Sequence, residues 1–168
     1  MTPEEFNAIF RAKLPEITRF LARRLDHSYV EDIASDLFEL AWSKKDSIPA
    51  GLELPWLYKS ANYLVANFNR KQAGRNRLFS IFERPATAPS AESIALADLE
   101  LSEAWGRLKV AERELITLWS LDGLNNAQIA AVIGTNENTA AIRLTRAKAN
   151  LKNLLAESEN FNDSETSK

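Results

Sequence analysis

The chain has 168 residues, with 21 Lys+Arg, 23 Asp+Glu, one His and no Cys, for a net charge of −2. Its 45% hydrophobic and 26% charged residues are ordinary for a globular protein, and the length suits one domain or two small ones. Absent Cys excludes a disulfide scaffold, thiolate zinc sites and Cys nucleophiles, and a single His excludes any metal site that needs two imidazoles. No apolar run approaches the ~20 residues of a membrane span. The N-terminal MTPEEFNAIF lacks the charged-then-apolar pattern of a signal peptide. The expectation is a cytoplasmic protein with no membrane insertion.

The net charge hides a block pattern: +2 over residues 1–79, −4 over 80–104, +3 over 105–155 and −3 over 156–168. Two mildly basic blocks, separated by an acidic stretch, would each meet a polyanion although the whole chain is acidic.

Apolar residues recur at helical spacing throughout, which predicts an all-α fold. A first helix is expected over about 4–25, on Phe6, Ile9, Phe10, Leu14, Ile17, Leu21 and Leu25, with Pro15 kinking or breaking it. Ser28 and Glu31 read as a capping box opening a second helix near 29–44, with Val30, Ile33, Leu37, Leu40 and Ala41 as its buried stripe. A loop with Pro49, Gly51 and Pro55 leads to a third helix, about 55–72, burying Leu57, Ala61, Leu64, Val65 and Phe68. It ends in NRKQAGRNR (69–77), four basic residues and no acid. Residues 80–95 lack periodicity and read as a flexible linker. Beyond it, Leu96, Leu99, Leu101, Trp105 and Leu108 suggest one helix. Glu112 to Leu121 suggests another, with Leu115, Leu118 and Trp119 inward, closed by a turn at Asp122-Gly123. The boundaries are thus 1–79 for a first helical domain, 96–155 for a second, and 156–168 for a disordered acidic tail.

Within the second domain, Asn126 to Ile133 forms a short helix, Gly134 ends it, and Asn136 or Asn138 caps a long one. Short helix, glycine turn and second helix make a helix-turn-helix. Ala140, Leu144, Ala147, Leu151 and Leu154 share one face of the long helix, which turns Asn138, Ala141, Ile142, Thr145 and Arg146 outward with Arg143 flanking. Ile142 would meet a thymine methyl or a partner protein there, or be one exposed Ile among many.

Two blocks carry a family resemblance. The first is EDIASDLFELAW (31–42) followed by LPWLYKSAN (54–62); the second is EREL (112–115), LDGL (121–124), QIAAVIG (128–134) and TAAIRLTRAK (139–148). Together they resemble an extracytoplasmic-function sigma factor, the minimal promoter-specificity subunit of bacterial RNA polymerase. The resemblance spans about residues 5–155. It departs from the family's usual pattern at Ser35, Lys109, Ala66 through Asn69, and Ala140 through Ile142, positions that bear on promoter sequence.

The resemblance implies a core-polymerase-binding face at Asp32, Ser35, Asp36, Phe38, Glu39 and Trp42. Asp32, Asp36 and Glu39 already share a helical stripe by spacing. It implies capture of melted minus-ten DNA by the first domain. The candidates are Lys44, Lys45, Tyr58, Lys59, Asn62 and Tyr63, with Arg70, Lys71, Arg75 and Arg77 on phosphates. It implies minus-thirty-five recognition by Asn136, Asn138, Thr139, Ala141, Ile142, Arg143, Thr145, Arg146 and Lys148. Core RNA polymerase, promoter DNA and an anti-sigma factor are the implied partners, with no cofactor, no metal and no catalysis of its own. The residues leave open a stand-alone helix-turn-helix regulator, or a sigma-derived interaction protein that no longer initiates. An enzyme is disfavoured: there is no glycine-rich phosphate loop and no nucleophile-base pair.

Overall fold

A computed structural model describes residues 1–75 and 99–165. Among these residues the regular structure is helical: α1 (Pro3–Ala22), α2 (His27–Ser43), a single 3-10 turn at Lys45–Ser47, α3 (Glu53–Arg75), α4 (Leu99–Arg107), α5 (Val110–Ser120), α6 (Asn126–Ile133) and α7 (Glu137–Glu165). They gather in two compact units, one containing α1 to α3, the other containing α4, α5, α7 and the start of α6. The expected linker 80–95, with Arg77 and Leu96, lies outside the described residues.

In the first unit α1 packs on α2 and α3, and α2 packs on α3. α1 opens with a reciprocal box: the Glu5 N–H donates to Thr2 Oγ1 at 3.2 Å and the Thr2 N–H donates to Glu5 Oε2 at 2.8 Å. It then runs through Pro15 without the expected break. A proline inside a helix costs about 3 kcal/mol, but Ile17, Phe20 and Leu21 beyond it are fully buried, each stabilising by roughly 1.5–3 kcal/mol. Burial therefore wins over the missing Pro15 N–H, and in the following turn the Thr18 hydroxyl donates to the Leu14 carbonyl at 2.8 Å.

α2 starts earlier than expected, at His27, so Ser28 lies inside its first turn and the Ser28/Glu31 box does not form; Asp26 is the N-cap, without a side-chain bond. Val30, Ile33, Ala34, Leu37 and Ala41 are buried and Leu40 is half-buried. Gly51, at φ +79°, takes the left-handed conformation that turns the chain into α3. Pro55 sits in the first turn of α3, where its missing N–H costs no helical bond. Leu57, Tyr58, Ala61 and Val65 form the buried face of α3. Leu64 and Phe68 are half-buried, and the Phe68 ring tilts against Tyr29 at 4.7 Å.

In the second unit α4 and α5 each pack on α7, around Ala104, Trp105, Leu108, Ile116, Ala147 and Leu154. Glu112 serves two ends. It accepts the Lys109 N–H at 2.9 Å, capping α5, and accepts the Asn150 amide at 3.1 Å, tying α5 to α7. Trp119 is not inward as expected but 45% exposed. Residues 114–118 are buried, and Trp119 lies 100° past Leu118 at the last turn, where α5 emerges from the core. Leu99, at the start of α4, is likewise exposed. α7 does not fray after Leu155 but continues to Glu165, through most of the expected tail. No Gly or Pro interrupts 156–165, and extending a docked helix is far easier than nucleating one.

Candidate functional site

The first surface is the outward face of α2. Since residues 30, 33, 34, 37 and 41 turn inward, Asp32, Ser35, Asp36 and Glu39 are all exposed. Among the described residues no side chain forms an ion pair with any of the three carboxylates. Beside this stripe Phe38 is half-buried, edge-on to Phe10 at 5.7 Å, and Trp42 is 40% exposed, edge-on to Phe6 at 5.0 Å. Phe6 and Phe10 stack on each other at 3.8 Å. Between α1 and α2 they leave an apolar groove of about 190 Å³, lined by Phe6, Asn7, Phe10, Arg11, Leu14 and Phe38. The α1 wall of this groove escaped the sequence reading, because Leu14 looked like one more core position of α1; it is exposed instead.

The second surface lies on the loop after α2 and on α3. Lys44 is exposed. Lys45 is half-buried, with Nζ 4.5 Å above the Trp42 ring and 3.8 Å from Asp46. Tyr58, expected at the DNA, is 1% exposed and stacks on Phe20 at 4.4 Å, with the Arg24 guanidinium 3.5 Å from the same Phe20 ring. It is a core residue, and a base cannot reach its face. Lys59 and Arg70 are exposed, and so is Tyr63, at 62%. Spaced by four and seven, these three share one stripe of α3. Asn62 is half-buried beside it, Lys71 is exposed on its flank, and Arg70 bonds Asn67. Arg75 closes α3, and Arg77 lies outside the described residues.

The third surface is the helix-turn-helix. α6 is capped reciprocally: the Gln128 N–H donates to Asn125 Oδ1 at 2.9 Å and the Asn125 N–H to Gln128 Oε1 at 3.0 Å. Gly134 at φ +72° makes the turn, and the Thr135 N–H closes it on the Ala130 carbonyl at 2.9 Å. Asn136 Oδ1 accepts the Thr139 N–H at 2.8 Å and so caps α7. Ala140, Leu144, Ala147 and Leu154 are buried. Asn138, Ile142, Arg143, Thr145 and Arg146 are exposed, while Thr139 and Ala141 are half-buried. The Thr145 hydroxyl donates to the Ala141 carbonyl at 2.9 Å. Glu137 is the sole acid from 137 to 156, against Arg143, Arg146, Lys148 and Lys152. This face is therefore cationic. Lys148 is half-buried, its Nζ 3.2 Å from the centroid of the Trp119 ring. That pairing joins residues far apart in the chain and had no sequence signal.

Comparison with known proteins identifies relatives over most of the chain. Residues 98–151 match the family described as Sigma-70, region 4. The RNA polymerase sigma factor NccH of Alcaligenes xylosoxydans xylosoxydans is 31% identical over 141 residues, 79% of this chain and 76% of that protein. The RNA polymerase sigma factor CnrH of Cupriavidus metallidurans is 28% identical over 144 residues, 77% and 75% of the two chains. Its structure in complex with the cytosolic domain of CnrY shares the fold, with a TM-score of 0.63 over 93% of this chain and 90% of that one, at 20% identity. The sigma factor RpoE, solved with the anti-sigma factor NepR from Bartonella quintana, shares it at a TM-score of 0.66, 24% identity, and 91% and 98% coverage. Two helical units with an acidic α2 face in the first and a cationic helix-turn-helix in the second, matched over three-quarters of NccH, place the chain in the RNA polymerase sigma factor family, in its extracytoplasmic-function group.

Proposed function

We propose that this chain binds core RNA polymerase and directs promoter recognition, strand opening and transcription initiation, without catalysis of its own. The observation that carries the reading is the pairing, in one sigma-family chain, of an exposed acidic stripe with a cationic helix-turn-helix face. The Asp32, Asp36 and Glu39 stripe, with Ser35, Phe38 and Trp42 beside it, suits a basic polymerase surface. An apolar anchor ringed by charges is the usual composition of an interface hot spot. Lys59, Tyr63 and Arg70, exposed together on α3, suit a strand of the melted minus-ten element, with Lys44, Asn62 and Lys71 around them. An aromatic face replaces the stacking a base loses, and cations hold its phosphates. Arg143, Ile142 and Arg146 on α7 suit base edges in the minus-thirty-five element, with Asn138 near phosphates at the helix N-terminus.

In this reading residues 1–79 form the polymerase-binding and minus-ten domain, 80–95 the linker, and 96–155 the minus-thirty-five domain. RpoE and CnrH were each solved with a partner, the anti-sigma factor NepR and the cytosolic domain of CnrY. An anti-sigma factor is accordingly proposed here as well. No helix among the described residues is long and apolar enough to cross a membrane; action in the cytoplasm is proposed from the family's role in transcription.

The test is reconstituted transcription. The chain, added to bacterial core polymerase, is expected to give promoter-dependent transcripts from a library of genomic fragments. Reversal of Asp32, Asp36 and Glu39 to Lys is expected to abolish both transcription and core binding. No transcript from any fragment would refute the proposal.

A further inference from the structure

Trp119 lies outside the proposed DNA-contacting residues and outside the core, since 45% of it is exposed. A large aromatic left this open at the end of a helix calls for a reason, and the structure supplies one. The Lys148 ammonium sits over its ring, 3.2 Å from the centroid. Ammonium carries three donors, and the π face occupies only one direction, so the others point away from the ring. Lysine also loses more side-chain entropy on being fixed than almost any residue, and here the ring fixes it beforehand.

The place of Lys148 matters as well. Ala141, Thr145 and Lys148 are spaced by four and three, so they share one stripe of α7. Lys148 lies about 10 Å along the axis from Ala141 at 1.5 Å per residue. The major groove is ~12 Å wide, and a recognition helix enters it by its N-terminal residues. A cation that far down the helix meets the sugar-phosphate rim rather than base edges.

We infer that Trp119 is a positioning residue that holds the Lys148 ammonium, by a cation–π contact, against a phosphate at the edge of the upstream promoter element. This rests on the reading of α7 as the DNA-facing helix. The positioned cation contributes affinity and salt dependence but no sequence preference.

The experiment uses holoenzyme assembled from the full chain and bacterial core polymerase. Its probe is a fluorescein-labelled duplex carrying a promoter recovered by the transcription selection, titrated at several salt concentrations. Trp119→Ala is expected to weaken binding about two- to fivefold, the size of an exposed cation–π contact, and Trp119→Phe to restore most of it. Lys148→Ala is expected to lower the slope of log affinity on log salt by about one. In the Lys148→Ala background, Trp119→Ala is expected to have no further effect. Equal effects of Trp119→Ala in both backgrounds, or an unchanged salt slope in Lys148→Ala, would overturn the inference. Melting of each variant, followed by circular dichroism, separates a folding defect from a binding one. A folding defect in Trp119→Ala that Trp119→Phe does not share leaves the Lys148→Ala slope to decide. Arg146→Ala is the control for the underlying reading. If it too leaves promoter affinity unchanged, α7 does not face DNA. If it weakens binding while Trp119 and Lys148 variants are silent, only the present inference fails.

Discussion

Asp36→Lys separates the fold from the interface, because the two respond in opposite directions. Asp36 is exposed on α2, with Asp32 one turn before it and Glu39 one turn after, and the three carboxylates have no ion-pair partner among the described residues. Each like-charge pair at this spacing destabilises a helix by about 0.2–0.5 kcal/mol, and an opposite pair stabilises it by a similar amount. Reversing Asp36 converts two repulsions into two attractions, a gain of about 1 kcal/mol at low salt. For a unit of this size that corresponds to a Tm increase of roughly 4–8 °C, shrinking as salt screens the charges. Under the proposed core-binding role of the stripe, core polymerase affinity is expected to fall tenfold or more, since a positive charge would then face the basic surface proposed to meet it. Thermal melting at low and moderate salt, beside fluorescence anisotropy with labelled chain and core polymerase, reads both quantities. Unchanged affinity would reduce the stripe to a solvated helix face. A marked loss of stability would mean that Asp36 supports the fold, contrary to its exposure.

Four further outcomes follow from the structure. Tyr58→Ala is expected to cost about 3–5 kcal/mol of unfolding free energy, as removal of a large buried ring does. Tyr63→Ala is expected to leave melting within about 0.5 kcal/mol of wild type yet slow open-complex formation in a permanganate footprint; the reverse pattern would exchange their roles. Pro15→Ala is expected to stabilise the first unit by about 2 kcal/mol in denaturant titration, because α1 already runs through this position and alanine restores a helical N–H; a loss of stability would show that the proline bends α1 to fit its neighbours. Gly134→Ala is expected to destabilise the turn between α6 and α7 by about 1–2 kcal/mol, since its φ of +72° strains any side chain although nothing stands in the way of a Cβ; an unchanged melting curve would contradict the strain.

The sequence by itself determined the elements that local chemistry dictates. The stripe Ala140, Leu144, Ala147, Leu151 and Leu154 was legible because its period is that of the helix, and the exposure of Arg143 and Arg146 follows from it. Gly134 and Asn136 were legible because a left-handed turn and an N-cap each select for few residue types. The acidic stripe on α2 was legible for the same periodic reason. Tertiary structure decided what depended on partners distant in the chain. Tyr58 and Tyr63 are both tyrosines of α3, yet Phe20 of α1 stacks on one and leaves the other to solvent. Trp119 follows a run of buried residues, yet it ends at the surface because α5 leaves the core there, and Lys148 of α7 covers its face. α1 survives Pro15 because of what Ile17, Phe20 and Leu21 bury, not because of local propensity. Periodicity states which side of a helix is apolar; only the packed neighbours determine how far that side extends and which aromatic rings remain available to a ligand.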